Sequence, residues 1–360
     1  MTQIRKLTVT GYKSIKALED FELNSLNVLI GANGAGKSNF ISIFRLLNEI
    51  YEQQLQLYIQ KQGGPDALLH FGRSATERLH AEFYFANNGY KFDLVPTLDN
   101  RLIFESEISW FGGVYRPTSS SVVLGRTHAE SKLKEAKDNY SPYVRPAISS
   151  WRVYHFHDTS ETAKVKRQHA TNDNLRLKVD AANLAAYLRM LSEKHPSEYA
   201  RIVETIRLVL PFFDDFVHRP GEPEYVELEW VQKGRPDTPL KAHMLSDGSL
   251  RFICLATLLL QPVALLPDTI LIDEPELGLH PYAINILADI FKQVAEDKQL
   301  IVSTQSVELI NELSPDDVIV VDQDNGASTF KRLNETELVD WLQDYALGEL
   351  WKRNILGGRP

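Results

Sequence analysis

Gly31-Ala32-Asn33-Gly34-Ala35-Gly36-Lys37-Ser38 fits the pattern G-x-x-x-x-G-K-[ST]. With glycine near 7% of residues, a chance match in a chain of this length is on the order of 1%. The flanks suit the pattern. Leu26 to Ile30 reads as a short β-rich strand, and Phe40, Phe44, Leu47, Ile50 and Tyr51 recur at helical spacing after the loop. A helix is expected to run to Gln62, where Gly63-Gly64-Pro65 stops it. Between strand and helix, glycines let successive backbone N–H groups curl round a phosphate, and the helix N-terminus adds its positive dipole end. Lys37 is placed to bridge β- and γ-phosphates, and the Ser38 hydroxyl to ligate Mg²⁺. Gly31, Asn33, Gly34, Ala35, Gly36, Lys37, Ser38 and Asn39 are the candidate contacts of ATP. The alternative is a glycine-rich turn without a ligand.

A second signal lies far downstream. Thr269-Ile270-Leu271-Ile272-Asp273-Glu274-Pro275 reads as a buried strand ending in two carboxylates. Two acids there are costly to desolvate unless a cation meets them. Beside a phosphate loop that cation is Mg²⁺. Asp273 fits the role of holding the metal's waters, and Glu274 that of a general base polarising the attacking water. Strand alternation is expected to point the two to opposite sides. The alternative is a strand capped by a solvated turn.

Short apolar strands alternate with helices in the last third: a helix from Phe252 to Leu260, strands at Thr269–Ile272 and Leu300–Ser303, and a helix from Tyr282 to Val294. That pattern means a largely parallel sheet covered on both faces. Ile4 to Val9 is expected to be a strand, and His80 to Trp110 antiparallel strands. Residues 115–149 are expected to be a loop, and Ala182 to Leu210 a helical block. Asn325-Gly326 signals a hairpin, and Leu338 to Tyr345 a last amphipathic helix. The expected fold class is α/β, a P-loop nucleotide hydrolase with a mixed, largely parallel central sheet, an antiparallel β lobe and a helical lobe. The expected organisation is 1–160, 161–240 as a helical insertion, and 241–360.

Composition agrees with a folded chain. The 360 residues are 43% hydrophobic and 24% charged, with 39 Lys+Arg against 48 Asp+Glu and a net charge of −9. A lone Cys254 allows neither an internal disulfide nor a Cys-rich zinc site. The start does not read as a signal peptide, and the longest apolar stretch is broken by Gln261-Pro262 and Pro267-Asp268. A cytoplasmic protein without a membrane span is expected.

Further motifs carry a resemblance. Leu245-Ser246-Asp247-Gly248-Ser249 resembles the ABC-type signature, with Asp at its third position and Ser at its fifth. Glu276-Leu277-Gly278-Leu279-His280-Pro281 looks like the D-loop of the same class, and Ser303-Thr304-Gln305-Ser306 stands where that class carries a switch histidine. With the phosphate loop and the acidic strand, these make the chain similar to ABC-type ATPase heads. Among them it is similar to the RecF-like and SMC-like DNA-maintenance group and to related ATPases of bacterial defence. Gly11-Tyr12-Lys13-Ser14, the E-P-E-x-G-L-H-P form, Leu347-Gly348-Glu349-Leu350-Trp351 and Gly357-Gly358-Arg359-Pro360 are like those of small stand-alone RecF-like ATPases. The resemblance covers residues 1–62 and 240–360 well and the middle only in outline.

The resemblance implies a head-to-tail homodimer with two sandwiched ATP molecules, in which Ser246 and Gly248 touch the γ-phosphate on the partner's phosphate loop. The alternative for Ser246 is an ordinary helix cap. Gln305 is implied as a catalytic switch that can donate to a γ-phosphate oxygen but cannot carry an imidazolium charge. His157 or Asp158 stands near the expected place of a Q-loop residue; otherwise both are turn and surface residues. The interval from Lys37 to Ser246 lacks heptads, which favours a compact head. Too little chain follows Ser306 for a Toprim nuclease domain, so any nuclease is expected on a separate chain.

Between Arg126 and Lys178, 11 Lys/Arg stand against 6 Asp/Glu, with Tyr140, Tyr143, Trp151 and Tyr154 interleaved. Such a segment grips a phosphate backbone or a stacked base, or is a solvated surface over core aromatics. Three roles stay open: a DNA-binding clamp in repair, a switch acting on a separate nuclease or effector protein in phage defence, and, more weakly, an energiser of membrane transport.

Overall fold

A computed structural model describes residues 3–112, 120–221 and 223–358. Two six-stranded sheets carry the fold. The central sheet runs in the order Ala327–Arg332, Val318–Asp324, Leu26–Ile30, Gln299–Ser303, Thr269–Asp273, Arg152–Tyr154. All neighbours are parallel except the first pair, the hairpin turned at Asn325-Gly326. Leu26–Ile30 is buried at every position, as a parallel strand covered on both faces must be. The register sets Asp273 beside Ser303, Ser303 beside Leu29 and Ile272 beside Tyr154, so the carboxyl ends of these strands gather at one edge. Ligands of open α/β sheets bind at that edge.

The second sheet is antiparallel and contains Lys6–Tyr12, Ile15–Glu22, Leu79–Phe85, Asn88–Pro96, Leu102–Phe111 and Ser120–Gly125. The phosphate-loop helix Lys37–Tyr51 joins the two sheets. Its Phe44 ring meets Trp151 at 5.4 Å between centroids, and Trp151 meets Phe83 at 5.9 Å and Phe85 at 5.6 Å. The helix Asp247–Leu260 is buried at nearly every position and packs within the larger of two apolar cores, together with helices Leu184–Lys194, Pro196–Val209 and Pro281–Asp297.

Several sequence expectations need correction. The helix expected to reach Gln62 stops at Tyr51; Gln53 takes a positive φ of 57°, and a separate helix Leu55–Gln62 follows. Glu130 accepts the Leu55 and Gln56 N–H groups at 2.8 and 2.9 Å, capping the second helix from a distant segment. Of the loop expected at 115–149, residues 115–119 lie outside the described residues. The rest contains the edge strand Ser120–Gly125 and most of the helix Ser141–Ser150, with Pro142 in its first turn and Pro146 inside it. Periodicity missed that helix because its apolar face is short; Val144, Ala147 and Ile148 bury against the neighbouring sheet.

Candidate functional site

The phosphate loop leaves the buried strand Leu26–Ile30 and enters the helix at Lys37. Gly36 has φ 118°, and a Cβ there would lie 2.0 Å from the Ser328 Oγ. Ser328 donates to the Ala35 carbonyl at 2.5 Å and bonds Ser14, which in turn accepts from Asn39 at 2.7 Å. The hairpin and the Gly11–Ser14 turn therefore grip the loop from behind. One cleft is lined by Ala32, Asn33, Gly34, Gly36, Lys37, Ser38, Asn39, Glu274 and Gln305. Residues from three separate parts of the sequence thus meet there.

Lys37 is buried, and its ammonium donates to the Gly31 and Ala32 carbonyls at 2.6 and 3.1 Å. Burial pushes its pKa below the ordinary lysine value, against the opposing pull of Glu274, Asp273 and Glu276. Glu274 has a φ of 45°, a conformation rare for residues other than glycine, and its N–H donates to the Ser303 carbonyl at 2.9 Å. Such strain persists only where the surroundings enforce it, and it clusters at functional sites. The Gln305 amide donates to the Glu274 carboxylate, and the Gln305 backbone N–H donates to Glu276 Oε1 at 2.8 Å. The carboxylate and the switch glutamine therefore touch.

Asp273 and Glu274 do face different surroundings, but strand alternation is not the cause. The strand ends at Asp273, and the left-handed turn at Glu274 aims the second carboxylate into the cleft. Asp273 accepts from the Ser303 hydroxyl and lines an adjoining crevice with Phe156, His157, Arg251 and Glu274. Asp158 spends its carboxylate on Ser160, leaving His157 as the one of the two Q-loop candidates that borders that crevice. Among the described residues no cluster of three or more His, Cys, Asp or Glu could hold a metal by itself. Ser38 lines the cleft and Asp273 the crevice that shares Glu274 with it, and both offer oxygen donors of the kind Mg²⁺ takes. That ion takes one or two protein oxygens and completes its shell with phosphate oxygens and water.

Ser246 and Gly248 do not line this cleft. Ser246 is exposed and caps its own helix, accepting from the Ser249 N–H at 3.2 Å. Gly248 sits against the D-loop; a Cβ there would lie 2.1 Å from the Gly278 carbonyl. Met244, Leu277 and Tyr282, all exposed, come from the same segments.

Three residues that sequence reasoning passed over belong to the site. Glu276 is half-buried, with its Oε2 atom buried and lacking a hydrogen-bond partner, and desolvation raises its pKa, opposed by bonds from the Gln305 N–H and the Thr304 side chain. Arg251, on the signature helix, donates to the Phe156 and His157 carbonyls at 3.0 and 3.3 Å and so ties that helix to the crevice. His155 is held below the ordinary histidine value, first by burial and then by Arg45 and His157, with Asp273 pulling the other way. The glutamate was visible in the D-loop motif. Neither the arginine nor the histidine had a spacing that set it apart.

Of the aromatics in the basic segment, Trp151 and Tyr154 are core residues, so they are not free to stack on a base. Lys134, Lys164 and Lys178 are paired with Glu52, Asp180 and Asp173. Tyr143 is exposed.

The strand order, the phosphate loop and the gathered strand ends define an ABC/SMC-like P-loop ATPase head. Residues 26–311 match the family described as "AAA domain, putative AbiEii toxin, Type IV TA system", and the chain belongs to that family. The Smc head crystallised with the C-winged helix domain of ScpA has the same fold: TM-score 0.62 and 16% identity over 94% of this chain and 99% of that one. The energy-coupling factor transporter ATP-binding protein EcfA2 of Halalkalibacterium halodurans is 33% identical over 103 residues, 28% of this chain and 35% of that protein. Urease accessory protein 2 of Cryptococcus neoformans var. grubii is 27% identical over 207 residues, 56% of this chain and 15% of that protein. The chain spans about a third or less of the length of these two curated relatives. No described helix is long and apolar enough to cross a membrane.

Proposed function

We propose that the protein binds ATP with Mg²⁺ in the Lys37–Glu274–Gln305 cleft, hydrolyses it, and uses the cycle as a dimerising switch or clamp in DNA maintenance. The observation that carries the reading is the Glu274–Gln305 contact facing the phosphate loop in one cleft. In this reading Lys37 leaves its two loop carbonyls for the β- and γ-phosphates. Gly31, Asn33, Gly34, Ala35, Gly36 and Asn39 cradle the phosphates through the loop backbone and its flank. When bound, Mg²⁺ offsets phosphate charge, held by Ser38 and, through water, by Asp273. Glu274 takes the proton of the attacking water. Gln305 orients that carboxylate and donates to the γ-phosphate once the two part.

Ser246 and Gly248 lie outside the cleft of their own chain, which supports a head-to-tail homodimer in which they complete the partner's site. The exposed Met244, Leu277 and Tyr282 give that face apolar area to bury. The family's description names a toxin system, and this favours a second reading: a regulatory ATPase of a defence system acting on a separate nuclease or effector. Cytoplasmic residence suits either role.

Light scattering on Glu274→Gln tests the core. With ATP and Mg²⁺ it is expected to dimerise while turnover falls roughly 10²-fold or more. Adding Ser246→Arg is expected to abolish the shift in size but not ATP binding. Equal dimerisation in both variants would reduce Leu245–Ser249 to a helix cap. DNA-stimulated turnover separates the first reading from the second.

A further inference from the structure

The C-terminal segment touches residues that adjoin the cleft on two sides, the helix that follows Gln305 and Gly31 beside Ala32. In the helix Leu347–Lys352, residues Leu347, Gly348, Leu350 and Trp351 are buried. Gly348 donates its N–H to Asn311 Oδ1 at 2.7 Å, and a Cβ at Gly348 would come within 2.6 Å of Asn311 and of the Val307 carbonyl. Those two residues belong to the helix Val307–Asn311, capped by Ser306, the residue after Gln305. The chain then turns at Asn354, where φ is 58°, and doubles back. The Trp351 indole N–H donates to the Gly358 carbonyl at 2.6 Å, and the Gly358 N–H donates to Asp322 Oδ2 at 3.1 Å.

Gly358 adopts φ 59°. A Cβ on it would stand 2.7 Å from Val320 Cγ1, 3.0 Å from the Val321 carbonyl oxygen and 3.4 Å from the Gly31 Cα. Gly31 abuts the same Val321 carbonyl, since its own Cβ would fall 2.2 Å from that oxygen. Gly31 is also the residue whose carbonyl receives the Lys37 ammonium at 2.6 Å. A continuous set of hydrogen bonds and close backbone contacts therefore runs from the helix behind Gln305, through Gly348 and Trp351, to the first residue of the phosphate loop.

We propose that residues 347–358 form a strap, anchored on Asp322 of the neighbouring strand, whose Trp351 and Gly358 together with that Asp322 are positioning residues for the phosphate loop, and whose Gly348 ties that position to the Gln305 segment. The proposal rests on the reading of residues 31–38 as the nucleotide site. The strap holds Gly31 so that its carbonyl faces Lys37, and nucleotide must draw Lys37 away from it. Binding and strap order are then linked, and the linkage is reciprocal: what loosens the strap weakens nucleotide binding, and nucleotide tightens the strap. Two glycines with no space for a side chain and a fully buried tryptophan with a bonded indole are the residues such a strap requires.

The test is ATP titration of four variants beside hydrogen exchange on the full chain. Asp322 is exposed, so its replacement threatens folding least. Asp322→Ala is expected to weaken ATP binding about two- to fivefold. Asp322 also accepts the Gln323 N–H through Oδ1, so Asp322→Asn, with one acceptor oxygen for two N–H groups, is expected to restore binding only in part. Trp351→Phe is expected to weaken it about three- to tenfold, the scale of one lost hydrogen bond. In the wild type, ATP is expected to slow exchange of the Gly348 and Gly358 amides. Lys37→Ala separates the two levels of the argument. If it loses ATP while Asp322→Ala and Trp351→Phe bind like the wild type, the strap proposal is wrong and the nucleotide site stands. If Lys37→Ala binds normally, the site reading fails and takes the strap with it. Strap variants that melt earlier but keep the full ATP-induced rise in Tm also overturn the proposal, because their role is then structural only.

Discussion

Removing the Gln305 amide is the sharpest probe of the cleft. Its Nε2 donates to Glu274, while its backbone N–H is separately anchored on Glu276 Oε1 at 2.8 Å. Gln305→Ala deletes the first contact and keeps the second, so the segment after the strand Gln299–Ser303 holds its path. Gln305 is only part-buried, so the truncation leaves no closed cavity. A hydrogen bond to a charged group is worth about 1.5–3 kcal/mol. Applied wholly to the transition state, that is a loss of about 10- to 150-fold in kcat. ATP affinity is expected to stay within about threefold, because Lys37 and the loop amides are untouched. Phosphate release at saturating ATP and nucleotide titration measure the two quantities. A kcat equal to the wild type would show that the Gln305–Glu274 contact plays no part in turnover. A change confined to affinity would place Gln305 among the ground-state binding groups instead.

Other outcomes follow from buried groups. Lys37→Met is expected to abolish ATP binding yet raise the Tm of the nucleotide-free protein by a few degrees, since burial lowers the Lys37 pKa and the ammonium costs stability there. The sign is checkable: a lysine whose folded pKa lies below its unfolded value gives stability that rises with pH as 10.5 is approached, and the variant should lose that rise. Glu276→Gln is expected to raise the Tm at pH 7, because desolvation disfavours the charged carboxylate that the amide replaces. With the folded pKa raised above 4.5, the wild type loses stability as pH climbs from about that value, so the gain should vanish near pH 4 in thermal melts. Trp151→Ala is expected to cost about 3–5 kcal/mol in urea unfolding, because its ring joins the phosphate-loop helix to the strand Leu79–Phe85 of the antiparallel sheet. A loss under 1 kcal/mol would mean the two layers hold together without it.

Local chemistry made much of the site legible. A glycine-rich loop between an apolar strand and an amphipathic helix has a mechanism in its spacing, and so has a buried strand ending in Asp273-Glu274. The parallel alternation of the last third likewise announced the central sheet. What sequence alone could not decide was which groups meet. Gln305 lies far from Lys37 along the chain, and only the pairing of Leu26–Ile30 with Gln299–Ser303 brings the ends of both strands to one cleft. The direction of Glu274 depends on a left-handed turn that no propensity predicts for glutamate. Glu276 stood in the D-loop motif without its role being legible, and Arg251 and His155 carry no distinguishing spacing in the linear chain. Their burial and neighbours exist only once the signature helix, the D-loop and the segment after Arg152–Tyr154 have packed together. The closing Gly357-Gly358 shows the same division. As letters it is a turn signal, and Arg359-Pro360 after it lie outside the described residues. Its contact with Gly31 arises because Val318–Asp324 pairs beside the phosphate-loop strand and offers one carbonyl, Val321, to both glycines. Backbone spacing of a few residues is written in sequence, whereas contacts between distant segments are set by sheet register, which depends on the whole core.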